Sequence, residues 1–288
     1  MFVSVSDMKA ELAAKAEARK LLGVFAHPDD ETFLGGPLLA WCAQRGLRVE
    51  VACATPAEPA VSDPSDWDFR HRQALLCAAQ GLGVQRVHFL GYHGSPMRPA
   101  VNPDPRQLAT APLWEVAAAL GGVMNNVQPD VVVTDSSYGA YGHPDHIVMH
   151  RATVAAFQTH RKEGARLYCL AYPLPLVRLN LRLMRLWGVP VRGVGPLGDI
   201  DLAAMVRAAP KKTALVNTSR HVAFRRAAAR CYAEEIVLAP LPLKLLERSP
   251  LWAQRLAFWR CALTRLYPPA KRGEPLERDL FPVLPVTA

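Results

Sequence analysis

The stretches AHPDDE (26–31) and GHPDH (142–146) place His-Pro-Asp twice in one chain, each time followed by another group able to hold a metal. Six side chains are on offer: His27, Asp29, Asp30, His143, Asp145 and His146. Imidazole nitrogen and carboxylate oxygen both suit zinc, and catalytic zinc keeps three protein ligands and one open position. Structural zinc sites are mostly built from cysteine, and the six cysteines here are scattered with no Cys-x-x-Cys pair. An open His/Asp site is therefore expected, of the kind that polarises a carbonyl and activates water near neutral pH.

Spacing alone does not choose the three ligands. Proline stiffens the first turn, so the adjacent Asp29 and Asp30 point in different directions. One can bind metal while the other acts as general base. His143 and His146 lie three apart at a helix start and share a face. One can bind metal and the other donate a hydrogen bond to an oxyanion, with Asp145 as its orienting partner. His150, one turn further on, reads as structural or supporting. The bland alternative is capping, with Asp29 and Asp145 as helix N-caps and Glu31 answering the helix dipole. Two such motifs at strand ends of one sheet favour the shared metal site.

Those strand ends follow from the hydrophobic pattern. Apolar runs at 21–26, 47–55, 87–91, 130–135 and 166–172 read as strands, and helical patterns lie near 32–45, 68–82, 111–124 and 143–161. Continuous apolar strands separated by helices predict an α/β fold: a Rossmann-like, doubly wound, mostly parallel sheet with helices on both faces. Such sheets bind ligands beyond the carboxyl ends of their strands, where both motifs fall. The expected organisation is a short helical segment over 1–20, a domain over 20–240, and a basic amphipathic helix with a Pro-rich extended tail over 241–288. Within the last part, Trp252, Leu256, Trp259, Leu263 and Leu266 follow helical spacing, and Arg255, Arg260 and Arg265 lie off that stripe, where a packed helix would leave them in water.

The balance of 50% hydrophobic and 20% charged residues is that of a globular chain. No apolar run reaches the ~18 residues of a membrane span, and the N-terminus lacks the order of a signal peptide. A cytoplasmic, reducing setting is expected, with no disulfide framework and most of the cysteines as small core residues. The net charge of +9 comes without a zinc finger, an RNA-binding signature or a Lys/Arg block, so no nucleic-acid partner is expected. Peripheral contact with anionic membrane through 178–187 or 251–267 is the sharper reading of the basic apolar stretches. The oligomeric state is not legible.

At the two motifs, AHPDDE after the first strand and YGHPDH after a later one, the chain resembles the LmbE-like/PIG-L family of zinc-dependent N-deacetylases. The resemblance covers roughly 20–160. It implies that His27, Asp30 and His146 bind zinc, with Fe2+ also suited to such donors, and that Asp29 is the general base. It further implies that His143 stabilises the oxyanion or protonates the leaving amine, that Tyr141 is a mobile active-site residue, and that Arg70 lies near the substrate pocket. The chain departs from the family in having Gln73 for a common glutamate, and in PAEPAVSD after Thr55, which keeps Glu58 but not the glycines. In GYHGSPMRP a substrate-contacting aspartate is missing, with His93 or Ser95 nearby instead. The expected activity is removal of an N-acetyl group from an amino-sugar glycoside by attack of a metal-activated water. The rivals are an amidase for a larger N-acyl or thiol conjugate, and a non-catalytic sugar- or nucleotide-binding module with structural metal.

Overall fold

The computed structural model describes residues 18–56, 64–98, 100–171, 174–194, 198, 200–238 and 241–281. The five expected strands are present as β1 (Lys20–Phe25), β2 (Arg48–Cys53), β3 (Arg86–Phe89), β4 (Val131–Thr134) and β5 (Arg166–Ala171). Between them run α1 (Asp30–Phe33), α2 (Gly36–Ala43), α3 (Pro64–Leu82), α4 (Leu113–Val127) and α5 (Pro144–His160). All five strands pair in parallel, in the order β3-β2-β1-β4-β5. The mostly parallel, doubly wound α/β sheet read from the sequence is borne out.

Alternate residues of each strand serve opposite faces, as the strand period requires. Leu21, Phe25, Val131 and Val133 pack with Leu38, Leu39 and Leu82 of α2 and α3. Leu22, Val24 and Val132 pack with Leu120, Met124, Met149 and Phe157 of α4 and α5. Each such fully buried side chain stabilises the fold by about 1.5–3 kcal/mol. That double burial explains why the strands read as continuous apolar runs rather than alternating ones.

The chain then departs from expectation. After α6 (Leu174–Leu186) and α7 (Leu202–Ala208) come β6 (Ala214–Asn217) and a group of short helices, α8 (Val222–Ala229), α9 (Ala233–Leu238), α10 (Leu241–Arg248) and α11 (Leu251–Ala257). The helix expected over 251–267 ends at Ala257, and Arg260–Tyr267 is instead a strand, β7. It runs antiparallel between β5 and β6 and completes a seven-stranded sheet. Arg265, placed in water by the helical reading, is buried against Glu274 and Glu277. The tail likewise folds back. Glu277 also meets Arg166 at 3.0 Å, and Leu280 lies in the core.

Cys77 and Cys231 form a disulfide, where the scattered cysteines had argued against bridging. Cys42, Cys53 and Cys169 are buried thiols, as expected. The helix expected at the N-terminus, Glu58 and the last seven residues fall outside the described residues.

Candidate metal centre

β1 and β4 are adjacent, with Gly23 opposite Val133, so their carboxyl ends open side by side. The first motif leaves β1 directly, and the second returns from β4 into α5. This is the switch point of a doubly wound sheet. The two motifs, more than a hundred residues apart in sequence, meet there: the His27 and His143 rings lie 4.7 Å apart and those of His27 and His146 5.0 Å.

Each of those outer histidines is held by a carboxylate through one ring nitrogen. His27 Nε2 donates to Asp145 Oδ2 at 3.0 Å, and His146 Nδ1 donates to Asp135 Oδ2 at 2.6 Å. This leaves His27 Nδ1 3.8 Å and His146 Nε2 3.7 Å from one atom, Asp30 Oδ2. Ligands around one small tetrahedral ion at ordinary bond lengths sit about 3.4 Å apart. His146 Nε2 is buried and makes no hydrogen bond among the described residues. The His/Asp donor set, these two separations and the His146 nitrogen that makes no hydrogen bond fit a site for a divalent metal. Two trios have ligand atoms within 4.8 Å of one another: His27 with His143 and His146, and Asp30 with Asp135 and His146.

Burial opposes charge on His146, but the carboxylates of Asp30 and Asp135 outweigh it and push the imidazole up to about 10. A proton and a metal cation therefore compete for Nε2. Asp145 is also buried, yet its hydrogen bonds from His27 and Ser95 hold its carboxyl below the usual range. An ionised Asp145 raises the donor strength of His27, as carboxylates behind metal-bound histidines do.

The capping alternative fares differently at the two motifs. Asp29 stands at the N-cap position of α1, but its side chain makes no capping hydrogen bond. Its φ is +101°, a left-handed conformation costly for a residue other than glycine. Glu31 accepts the Asp29 backbone N–H at 3.0 Å, the Thr32 hydroxyl and the Tyr232 hydroxyl at 2.9 Å. At the second motif the cap is His143, not Asp145. His143 Nδ1 accepts the Asp145 backbone N–H at 3.2 Å, so in the neutral ring Nε2 carries the hydrogen. The Asp145 carboxylate was expected to orient His143. It serves His27 instead, and its backbone orients His143.

The other expected residues are spread out. Tyr141 stands beside the centre, its ring 5.8 Å from those of His143 and His146. His150 Nδ1 donates to the Asp135 carbonyl at 2.8 Å, a supporting role as read. Ser95, buried, gives its backbone N–H to Asp145 Oδ2 at 2.8 Å. His93, two residues away, faces Asp104 at 3.5 Å and is partly exposed. Arg70 is exposed on α3 and pairs with Glu234 at 3.1 Å. Asp135, Glu31 as an anchor, and Tyr232 escaped the sequence reading. Only Asp135 had a local signal, as the polar residue leaving a central strand.

The GlcNAc-PI de-N-acetylase (PIG-L) family model matches residues 22–157, which span both motifs. A 1D-myo-inositol 2-acetamido-2-deoxy-alpha-D-glucopyranoside deacetylase of Nocardioides sp. is 32% identical over 91% of this chain and 98% of its own. The enzyme of that name from Acidothermus cellulolyticus is 32% identical over 76% of this chain and 80% of its own. The chain belongs to the PIG-L family.

The fold is shared with PIG-L-like solved structures. The zinc-inhibited form of the teicoplanin deacetylase Orf2 matches with a TM-score of 0.55 at 18% identity, covering 86% of this chain and 99% of that one. GalB, a 4-carboxy-2-hydroxymuconate hydratase from a Pseudomonas, matches with a TM-score of 0.56 at 16% identity, over 88% of this chain and 98% of that one. One architecture thus carries different reactions, and the relatives at higher identity decide between them. They are deacetylases, and the expected class, a hydrolytic N-deacetylase, is borne out. Among the described residues no helix is long and apolar enough to cross a membrane.

Proposed function

We propose that the chain removes the N-acetyl group from an N-acetylglucosamine linked to inositol, using a metal held by His27, Asp30 and His146. The relatives' named substrate suggests the aglycone. The observation that carries the reaction is the convergence of both His-Pro-Asp turns on Asp30 Oδ2. Zinc is the metal proposed, with ferrous iron the next to test. Bound there, it would polarise the amide carbonyl and lower the pKa of a water.

The side chains around it divide the remaining work. Asp29, next to a ligand but in a separate backbone conformation, takes the proton from the attacking water. His143 offers its Nε2–H to the carbonyl oxygen as negative charge develops, and the proton taken up by Asp29 passes to the nitrogen as the C–N bond breaks and the amine leaves. Asp145 and Asp135 are positioning residues that hold His27 and His146. Tyr141 closes on the acyl group from the side of His143. Arg70, paired with Glu234, and His93, facing Asp104, take no part in this reaction.

The inositol assignment is tested by comparing kcat/KM for the inositol glycoside with that for a simple alkyl N-acetylglucosaminide. A preference of tenfold or more is expected. Equal values would remove inositol as the recognised aglycone while leaving the deacetylase reaction in place.

A further inference from the structure

Residues 174–194, from α6 onward, contain four arginines (Arg178, Arg182, Arg185, Arg192) and no acidic residue. α6 packs on α7, and a cavity of about 200 Å³ between them is lined by Arg178, Arg182, Arg185 and Arg207. Asp201 answers Arg192 and Arg207, at 3.5 and 3.7 Å. Among the described residues Arg178, Arg182 and Arg185 make no ion pair. The end of the helix is as unusual for its apolar surface. Leu186 is 78% exposed and Trp187 72%, with Leu183 and Val189 beside them also exposed. Neighbouring leucine, tryptophan and valine left in water on one tip mark a contact surface rather than scattered exposure.

We infer that this α6–α7 excursion rests on an anionic phospholipid surface, its Leu186–Trp187 tip entering the headgroup region and Arg178, Arg182 and Arg185 meeting lipid phosphates. Arginine stems lie along apolar material while their guanidinium groups reach for phosphate, and tryptophan prefers the interface between the two. The charge argues against a second copy as occupant, since it would set like cation clusters against each other. It also argues against an acid-free apolar partner, which would leave three arginines unanswered. A nucleic acid would use the arginines but leave the leucine and valine of the tip without a role. None of these residues belongs to the metal centre, so the surface is independent of the reaction proposed above.

The test is co-sedimentation of the full chain with phosphatidylcholine vesicles, with and without phosphatidylglycerol, at low and high salt. Binding is expected only to the anionic vesicles, with release by salt. Each juxtamembrane arginine contributes about fivefold to such binding, so Arg178→Ala, Arg182→Ala and Arg185→Ala together should weaken it roughly hundredfold. A second variant, Leu186→Ser with Trp187→Ser, should weaken it with every arginine in place, and both should melt as the wild type does. Three results would overturn the inference: no sedimentation with phosphatidylglycerol vesicles, sedimentation that neither variant reduces, or binding of inorganic phosphate by this cluster without vesicle binding.

Discussion

The Tyr232 hydroxyl donates to Glu31 Oε1 at 2.9 Å, joining the C-terminal helices to the turn that carries Asp29. Both side chains are fully buried. Burial pushes the Glu31 carboxyl up to about 7, against the pull of its three donors. One of those donors is the backbone N–H of Asp29, whose φ of +101° needs support from outside the turn. Glu31 and Tyr232 thus hold the backbone of the proposed base.

Tyr232→Phe removes one donor and leaves a buried carboxylate oxygen with one fewer partner, at a cost of about 1–3 kcal/mol. The expected outcome is a lower Tm together with a several-fold fall in kcat at unchanged KM and unchanged metal content. Glu31→Gln keeps the size and should lose less than Glu31→Ala. Loss of metal in Tyr232→Phe would assign the contact to ligand placement instead.

The metal assignment separates ligands from their supports. His146→Ala should abolish stoichiometric metal binding. Asp135→Asn, which spares the ligand but weakens its partner at 2.6 Å, should lower metal affinity about 10–100-fold. Titration with a chelator of known affinity reads both. Equal affinity in Asp135→Asn and wild type would remove Asp135 from the centre.

Chelation should also lower the melting temperature, because a metal held only by the folded state stabilises it. At a free concentration a hundred times Kd the effect is about 2.7 kcal/mol. Differential scanning calorimetry with and without metal measures it, and identical transitions would contradict a site preformed by the fold.

The Cys77–Cys231 disulfide joins α3 to the turn immediately before Tyr232. Reduction, or Cys231→Ser, should cost about 2–4 kcal/mol of stability. Thermal melts with and without reductant test this, and non-reducing peptide mapping should recover the linked pair. A melt insensitive to reductant would mean the pair contributes nothing to the folded state.

What could be read in the sequence was what local chemistry encodes. The strands β1 to β5 are buried on both faces and stand out as apolar runs, and proline and acid mark the two turns that leave them. β7 reads as helix in the sequence because Trp252, Leu256, Trp259 and Leu263 keep a helical spacing across what is a helix followed by a strand. Arg265 looked solvated because Glu274 and Glu277, which neutralise it, come later in the chain. Asp145 was placed on His143 because they are neighbours in sequence, whereas its carboxylate crosses to His27, 118 residues away. Tyr232 has no motif at all; only the fold brings it to Glu31.

The most direct measurement is acetate release from a soluble N-acetylglucosaminide by metal-loaded wild type and Asp29→Ala, with bound metal quantified in both. The account predicts equal metal content and a fall in kcat of about 10²–10⁴-fold in the variant. Equal turnover by the two proteins would contradict Asp29 as the base, and no acetate from a metal-loaded wild type would contradict the deacetylase assignment itself.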